Sequence, residues 1–204
     1  MAKSETQGPR TATRILDVAE RLVQVRGFNG FSYADVAAEL KLTKAALHYH
    51  FASKTELGEA LIERYSERFG GALAAVEAKS TDAQLRLRDY TGLYADVLRD
   101  GRMCLCGMMA ADYETLPPSM QASVLRYIRA NQEWLARVLD QGREMGTLAF
   151  GGSPRDVALL VFGGLEGAML VARPLNDLPG FESSAERLLS SLLSVSPLFV
   201  ASES

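Results

Sequence analysis

Two cysteines, two histidines and one tryptophan are all that 204 residues contain of those types, and each scarcity closes a class of function. Cys104 and Cys106 are two positions apart. On a helix such a pair projects to nearly opposite sides, which is not the spacing of a zinc or redox pair, and two cysteines build no disulfide framework. His48 and His50 share that geometry, with no cysteine or paired carboxylates beside them in sequence, so no metal is expected. No stretch alternates apolar and polar residues over a strand's length. A glycine-rich nucleotide loop therefore has no strand to follow, and no nucleophile constellation is visible. Neither an enzyme nor a cofactor is expected.

An apolar leader and a long apolar run are also missing. The start, Met1-Ala2-Lys3-Ser4-Glu5, lacks the hydrophobic core of a signal peptide. Val157 to Ala172 is the longest apolar stretch, and Glu166 and three glycines interrupt it; it reads as too short to span a bilayer comfortably. The expectation is a cytoplasmic protein without a membrane partner. Surplus positive charge is absent too: 22 Lys and Arg face 25 Asp and Glu, a net −3. That charge is uneven, +1 over residues 1–68 and −4 over residues 69–204, and phosphate affinity depends on the cations at the contact rather than on the total. Lys3, Arg10 and Arg14 make the most basic piece.

What the chain does contain is helical periodicity over a composition 48% hydrophobic and 23% charged, enough for one or two globular units with real cores. Residues 1–9 read as a mobile arm. From Thr11 the apolar positions Ile15, Val18, Ala19 and Leu22 recur at helical spacing until Gly27. Tyr33–Leu40 is a second short helix, and Thr43 caps a third, in which Leu47 and Phe51 share a face while Lys44, Ala45, His48 and Tyr49 turn outward. Only Lys41 and Leu42 separate these two helices. Two short helices joined by a tight turn, the second rich in groups that bond phosphates and base edges, describe a helix-turn-helix. Ser53 and Glu56 read as a capping box opening a connecting helix over 53–75, with a bend at Gly70-Gly71. Further helices follow over 80–99, 103–113, 117–142, 154–172 and 182–200. The fold expected is all-α, about nine helices. A DNA-binding unit over 10–54 leads through the connecting helix to a ligand-binding and dimerisation domain over 76–204.

In Phe31-Ser32-Tyr33-x-x-Val36-Ala37, Leu47-His48-Tyr49-His50-Phe51 and Lys54 after Ser53, the chain resembles the TetR/AcrR family of transcriptional repressors. The resemblance is specific over roughly residues 10 to 70. One position departs from the pattern: members commonly carry an aromatic where His48 stands. The resemblance implies a homodimer on double-stranded operator DNA, one recognition helix per half-site. Lys44, Ala45, His48 and Tyr49 would face bases; Thr43, Tyr49, His50 and Lys54 would hold phosphates; Arg10 or Arg14 would add backbone or minor-groove contact.

Helices 154–172 and 182–200 are the expected dimer surface, because Leu159, Leu160, Val161, Phe162 and Leu165 cover most of a circumference and Gly163, Gly164 and Gly167 permit close approach. Tyr90, Tyr94, Cys104, Met108, Tyr113, Tyr127, Trp134, Phe162 and Glu166 are the candidate lining of an effector pocket for a small apolar or aromatic molecule. Met103-Cys104-Leu105-Cys106-Gly107 is similar to a segment of relatives that sense electrophiles, so a repressor switched through the Cys104 thiol is the alternative. Outside regulation, an all-α enzyme or carrier and a protein-binding helical adaptor are the competing classes.

Overall fold

The computed structural model describes the backbone of residues 7–193 and the side chains of residues 10–193. Most of the arm expected over 1–9, and the end of the last expected helix with Val195, lie outside the described residues. Among the described residues the chain forms nine α-helices: α1 Gln7–Arg26, α2 Tyr33–Leu40, α3 Lys44–His50, α4 Lys54–Lys79, α5 Ala83–Arg99, α6 Leu105–Ala111, α7 Pro118–Glu144, α8 Pro154–Leu175 and α9 Leu178–Ser190. A 3-10 turn, Tyr113–Thr115, precedes α7. The architecture is all-α, as the periodicity implies.

Several boundaries moved, each for a local reason. Helix α1 begins at Gln7, so the arm does not reach residue 9. Helix α4 continues through Gly70-Gly71 to Lys79, beyond the end expected at 75. Two glycines cost about 1 kcal/mol each in a helix, and burial of Leu73 and Val76 just beyond offsets this. Helix α9 starts at Leu178 rather than 182, because Pro179 sits in the first turn, where its missing N–H is no loss, and Asp177 caps the Gly180 N–H at 2.9 Å. Helix α8 reaches Leu175 and is long and apolar enough to cross a membrane by length and composition, which corrects the shorter stretch read from sequence.

The chain divides into two compact units, residues 1–71 with 97–129 and residues 72–96 with 130–204. The sequence suggested a boundary near residue 76 with everything after it in one domain; the structure instead groups α6 and the adjoining ends of α5 and α7 with the N-terminal helices. In the first unit Ile15, Ala19 and Val23 of α1 are fully buried, as are Val36, Leu47, Leu57, Leu61 and Leu105. Gly27 ends α1 at φ 82°, a conformation glycine adopts without strain. Gly58 is there for room: a Cβ would stand 2.5 Å from Met120 Cε and 2.8 Å from Phe28 Cε2. Glu20, almost wholly buried on α1, accepts from Arg64 Nη2 at 2.6 Å and from Arg68, both on α4. Asp17 accepts from Arg64 Nη1 at 2.7 Å, so α1 is tied to α4 by charge as well as by apolar contact.

In the second unit α8 packs on α9. Val157, Ala158, Val161, Phe162, Leu165, Met169 and Ala172 form the buried stripe of α8. Its other side leaves Leu159, Leu160, Leu170, Val171 and Leu175 exposed, Leu160 at 61%.

Candidate nucleic-acid interface

Helix α3 is held by one buried residue and offers the rest. Leu47 is fully buried and Phe51, at its C-cap, nearly so. Thr43 is the N-cap, its hydroxyl oxygen accepting the Ala46 N–H at 3.1 Å. Lys44, Ala45, His48 and Tyr49 are exposed, as the spacing required, and Tyr49 stands out at 86%. His50 is half-buried, its ring edge-on to Tyr49 at 5.3 Å. The turn from α2 is closed by Lys41 in the left-handed region (φ 56°, ψ 41°), with the Leu42 N–H donating to the Ala37 carbonyl at 2.9 Å. This single strained residue lets α3 double back at once, which sets the angle between the two helices.

Tyr33, not among the expected site residues, positions the far end of α3. Its hydroxyl hydrogen is shared between the carbonyls of Phe51 at 2.8 Å and Ser53 at 2.7 Å. Burial, and secondarily the charge of Glu56, push this phenol up to about 12, so it remains a donor throughout the physiological range. The Ala52 peptide between them is gripped on both sides: its N–H donates to Glu56 at 2.8 Å, and His48 Nδ1 lies 3.1 Å from its carbonyl oxygen. Ser53 Oγ accepts the Glu56 N–H at 3.1 Å, so the capping pair is present, with the carboxylate reaching one residue further back than a standard box. A tyrosine in Phe-Ser-Tyr reads as packing, and only the fold reveals its partners.

Lys54 differs from a simple phosphate ligand. Its ammonium donates to the Phe31 carbonyl at 2.6 Å and sits over the rings of Phe28 (4.7 Å) and Phe31 (4.5 Å). Partial burial lowers its pKa, with Asp112 and Asp35 opposing. Three hydrogens on the ammonium leave two for another acceptor. Phe31, Ser32, Tyr33, Ala34, Lys44, His48 and Lys54 line a shallow groove of about 360 Å³. Arg10 and Arg14 are exposed, one turn apart on α1.

The remaining expected residues fall into two groups. Tyr90, Tyr94 and Trp134 come together in the second unit: the Tyr90 hydroxyl lies 2.9 Å from that of Tyr94 and 3.2 Å from Asn131 Oδ1, and its ring stacks on Trp134 at 5.4 Å. Phe162, buried, and Glu166, half-buried, lie on α8. Cys104, Met108, Tyr113 and Tyr127 belong to the first unit. There Cys104 Sγ accepts the Gly107 N–H at 3.4 Å and lies 3.8 Å from the Tyr127 hydroxyl, and Tyr127 packs on Tyr65 and Phe69. Both cysteines are buried. Among the described residues no group of three or more His, Cys, Asp or Glu is placed to hold a metal ion.

Residues 15–61 match the family model of bacterial regulatory proteins, tetR family. The chain is 26% identical over 169 residues to the HTH-type transcriptional repressor NemR of Escherichia coli (strain K12), covering 80% of this chain and 84% of that protein. Its structure is similar to that of a TetR-family transcriptional regulator from Agrobacterium tumefaciens, with a TM-score of 0.89, 29% identity, and 92% of this chain and 100% of the other covered. A TetR transcriptional regulator from Legionella pneumophila gives a TM-score of 0.80 at 29% identity, covering 94% of this chain and all of the other.

Proposed function

We propose that this chain, which belongs to the tetR family of bacterial regulatory proteins and is a DNA-binding transcriptional regulator, acts in the cytoplasm as a dimeric repressor released from its operator by a small, largely apolar molecule. The observation that carries the reading is α3: one side of the helix is spent on Leu47, and the other presents Lys44, Ala45, His48 and Tyr49 to solvent. Seven residues make under two turns, enough to enter a major groove with its N-terminal side chains on base edges. Lys44, Lys54 and the α1 pair Arg10 and Arg14 supply the local cations that the whole-chain charge of −3 does not. The experiment is a binding titration on the DNA upstream of the protein's own gene against an unrelated duplex. Lys54→Ala should weaken both complexes alike and flatten the salt dependence by about one unit. Unchanged affinity and slope would remove Lys54 from the phosphate contacts.

The dimer surface is the exposed face of α8, where Leu159, Leu160, Leu170, Val171 and Leu175 leave a stripe of apolar surface along most of the helix. The effector site favoured is the second unit around Tyr90, Tyr94, Asn131 and Trp134. Among the described residues the buried Trp134 indole N–H meets no acceptor, in a setting of neutral hydroxyls and stacked rings. Such a setting suits a flat, uncharged molecule with one acceptor oxygen. The thiol alternative rests on Cys104, whose sulfur already accepts a backbone N–H but is 1% exposed. A quinone should release DNA equally from the wild type and from Cys104→Ser if reversible binding is the signal. Release confined to the wild type would establish the thiol switch instead.

A further inference from the structure

His48 is the exposed imidazole of α3, and its hydrogen bonding decides what it shows to DNA. The Ala52 carbonyl oxygen, 3.1 Å from Nδ1, can only accept, so Nδ1 carries a hydrogen in both the neutral and the charged ring. The neutral ring then has its lone pair on Nε2, which has no hydrogen-bond partner among the described residues. Turning the ring over would break the Ala52 bond. The ring also rests on Tyr33, with centroids 4.7 Å apart, and Tyr33 is itself fixed by the Phe51 and Ser53 carbonyls. A group approaching from solvent therefore meets a bare lone pair when His48 is neutral, and an N–H donor only when it is protonated.

The groove that His48 lines also holds Lys44 and Lys54, which draw an anion to it. Tyr33 on α2, Lys44 on α3 and Lys54 on α4 share that groove with the ring, Tyr49 and His50 follow it on α3, and Glu56 on α4 holds the Ala52 N–H. A phosphate oxygen repels the lone pair of the neutral ring and accepts from the imidazolium.

We infer that His48 binds a DNA backbone phosphate as the imidazolium, so that DNA binding takes up one proton at this side chain. The inference rests on the reading of α3 as the nucleic-acid interface. Binding raises the affinity of His48 for its proton; the extra DNA affinity is therefore present at low pH and fades as pH rises through the titration range of histidine, about pH 5 to 8. Because phosphates occur in every sequence, the effect is the same on operator and unrelated DNA.

The test is fluorescence anisotropy on two labelled duplexes of equal length, one from upstream of the protein's own gene and one unrelated. Measurements run at constant ionic strength between about pH 6 and pH 8. Wild type should bind both more tightly at the lower pH, by about tenfold for each His48 and so about a hundredfold for the dimer, one pKa unit of differential interaction per side chain. His48→Gln should lose that slope while keeping the wild-type circular dichroism, as suits an exposed side chain, and His50→Gln should keep the slope. An equal slope in His48→Gln, or its loss in His50→Gln instead, overturns the inference. So does weaker binding at low pH confined to the upstream duplex, the signature of a neutral Nε2 accepting from a base amine. Wild type that binds neither duplex at any pH would overturn the interface itself, and this inference with it.

Discussion

Leu160→Glu should convert the protein to a monomer and lower operator affinity by at least about a hundredfold, the loss expected when two linked half-site contacts become independent. Leu160 is 61% exposed in the isolated chain, so the subunit loses no core contact and its melting transition should stay within about 0.5 kcal/mol of the wild type. In a two-fold interface the substitution is felt twice, and each carboxylate would be buried against apolar surface without a partner. Sedimentation equilibrium reads the assembly and anisotropy reads the DNA. A Leu160→Glu protein that remains a dimer would move the interface off this face of α8. Loss of the dimer together with the fold would show that Leu160 belongs to a subunit core.

Leu47→Ala attacks the other end of the function. Deleting a fully buried leucine costs about 2–5 kcal/mol, according to how far the site collapses. Leu47 is the one buried residue of α3 itself, and a helix of seven residues has no stability of its own in water. The expected result is a lowered melting temperature and loss of DNA binding, because α3 no longer keeps its seat between Thr43 and Phe51. Tyr49→Ala is the contrast: an 86% exposed side chain leaves the melting temperature unchanged while weakening DNA binding. Unchanged DNA affinity in Leu47→Ala would mean that α3 is not the reading element.

The local devices of the chain are legible from its residues alone. Thr43 as a cap, Leu47 and Phe51 on one face with Lys44, Ala45, His48 and Tyr49 turned outward, and Gly27 as a stop are statements about neighbours within a turn or two. Such short-range rules of hydrogen bonding and periodicity carry over to any fold. The all-α class followed in the same way, since no window had the two-residue period of a strand. The apolar excess of α8 was also legible, because an all-round apolar helix must cover more than one side.

Contacts across long sequence separations were decided by tertiary structure alone. Glu20 finds Arg64 and Arg68 more than forty positions away, and nothing in the α1 periodicity marks that carboxylate as buried. Gly58 is required only because Met120 and Phe28 close over it. The grouping of residues 97–129 with the N-terminal helices depends on where α6 packs, and helical periodicity reports a face, never its partner. Lys54 and His48 show the same limit at the interface. Their sequence positions promise a phosphate contact and a base contact, whereas the fold gives one ammonium to the Phe31 carbonyl and commits one imidazole N–H to Ala52. A side chain's charge is written in the sequence; what remains of it for a ligand depends on which acceptors the folded backbone brings within 3 Å.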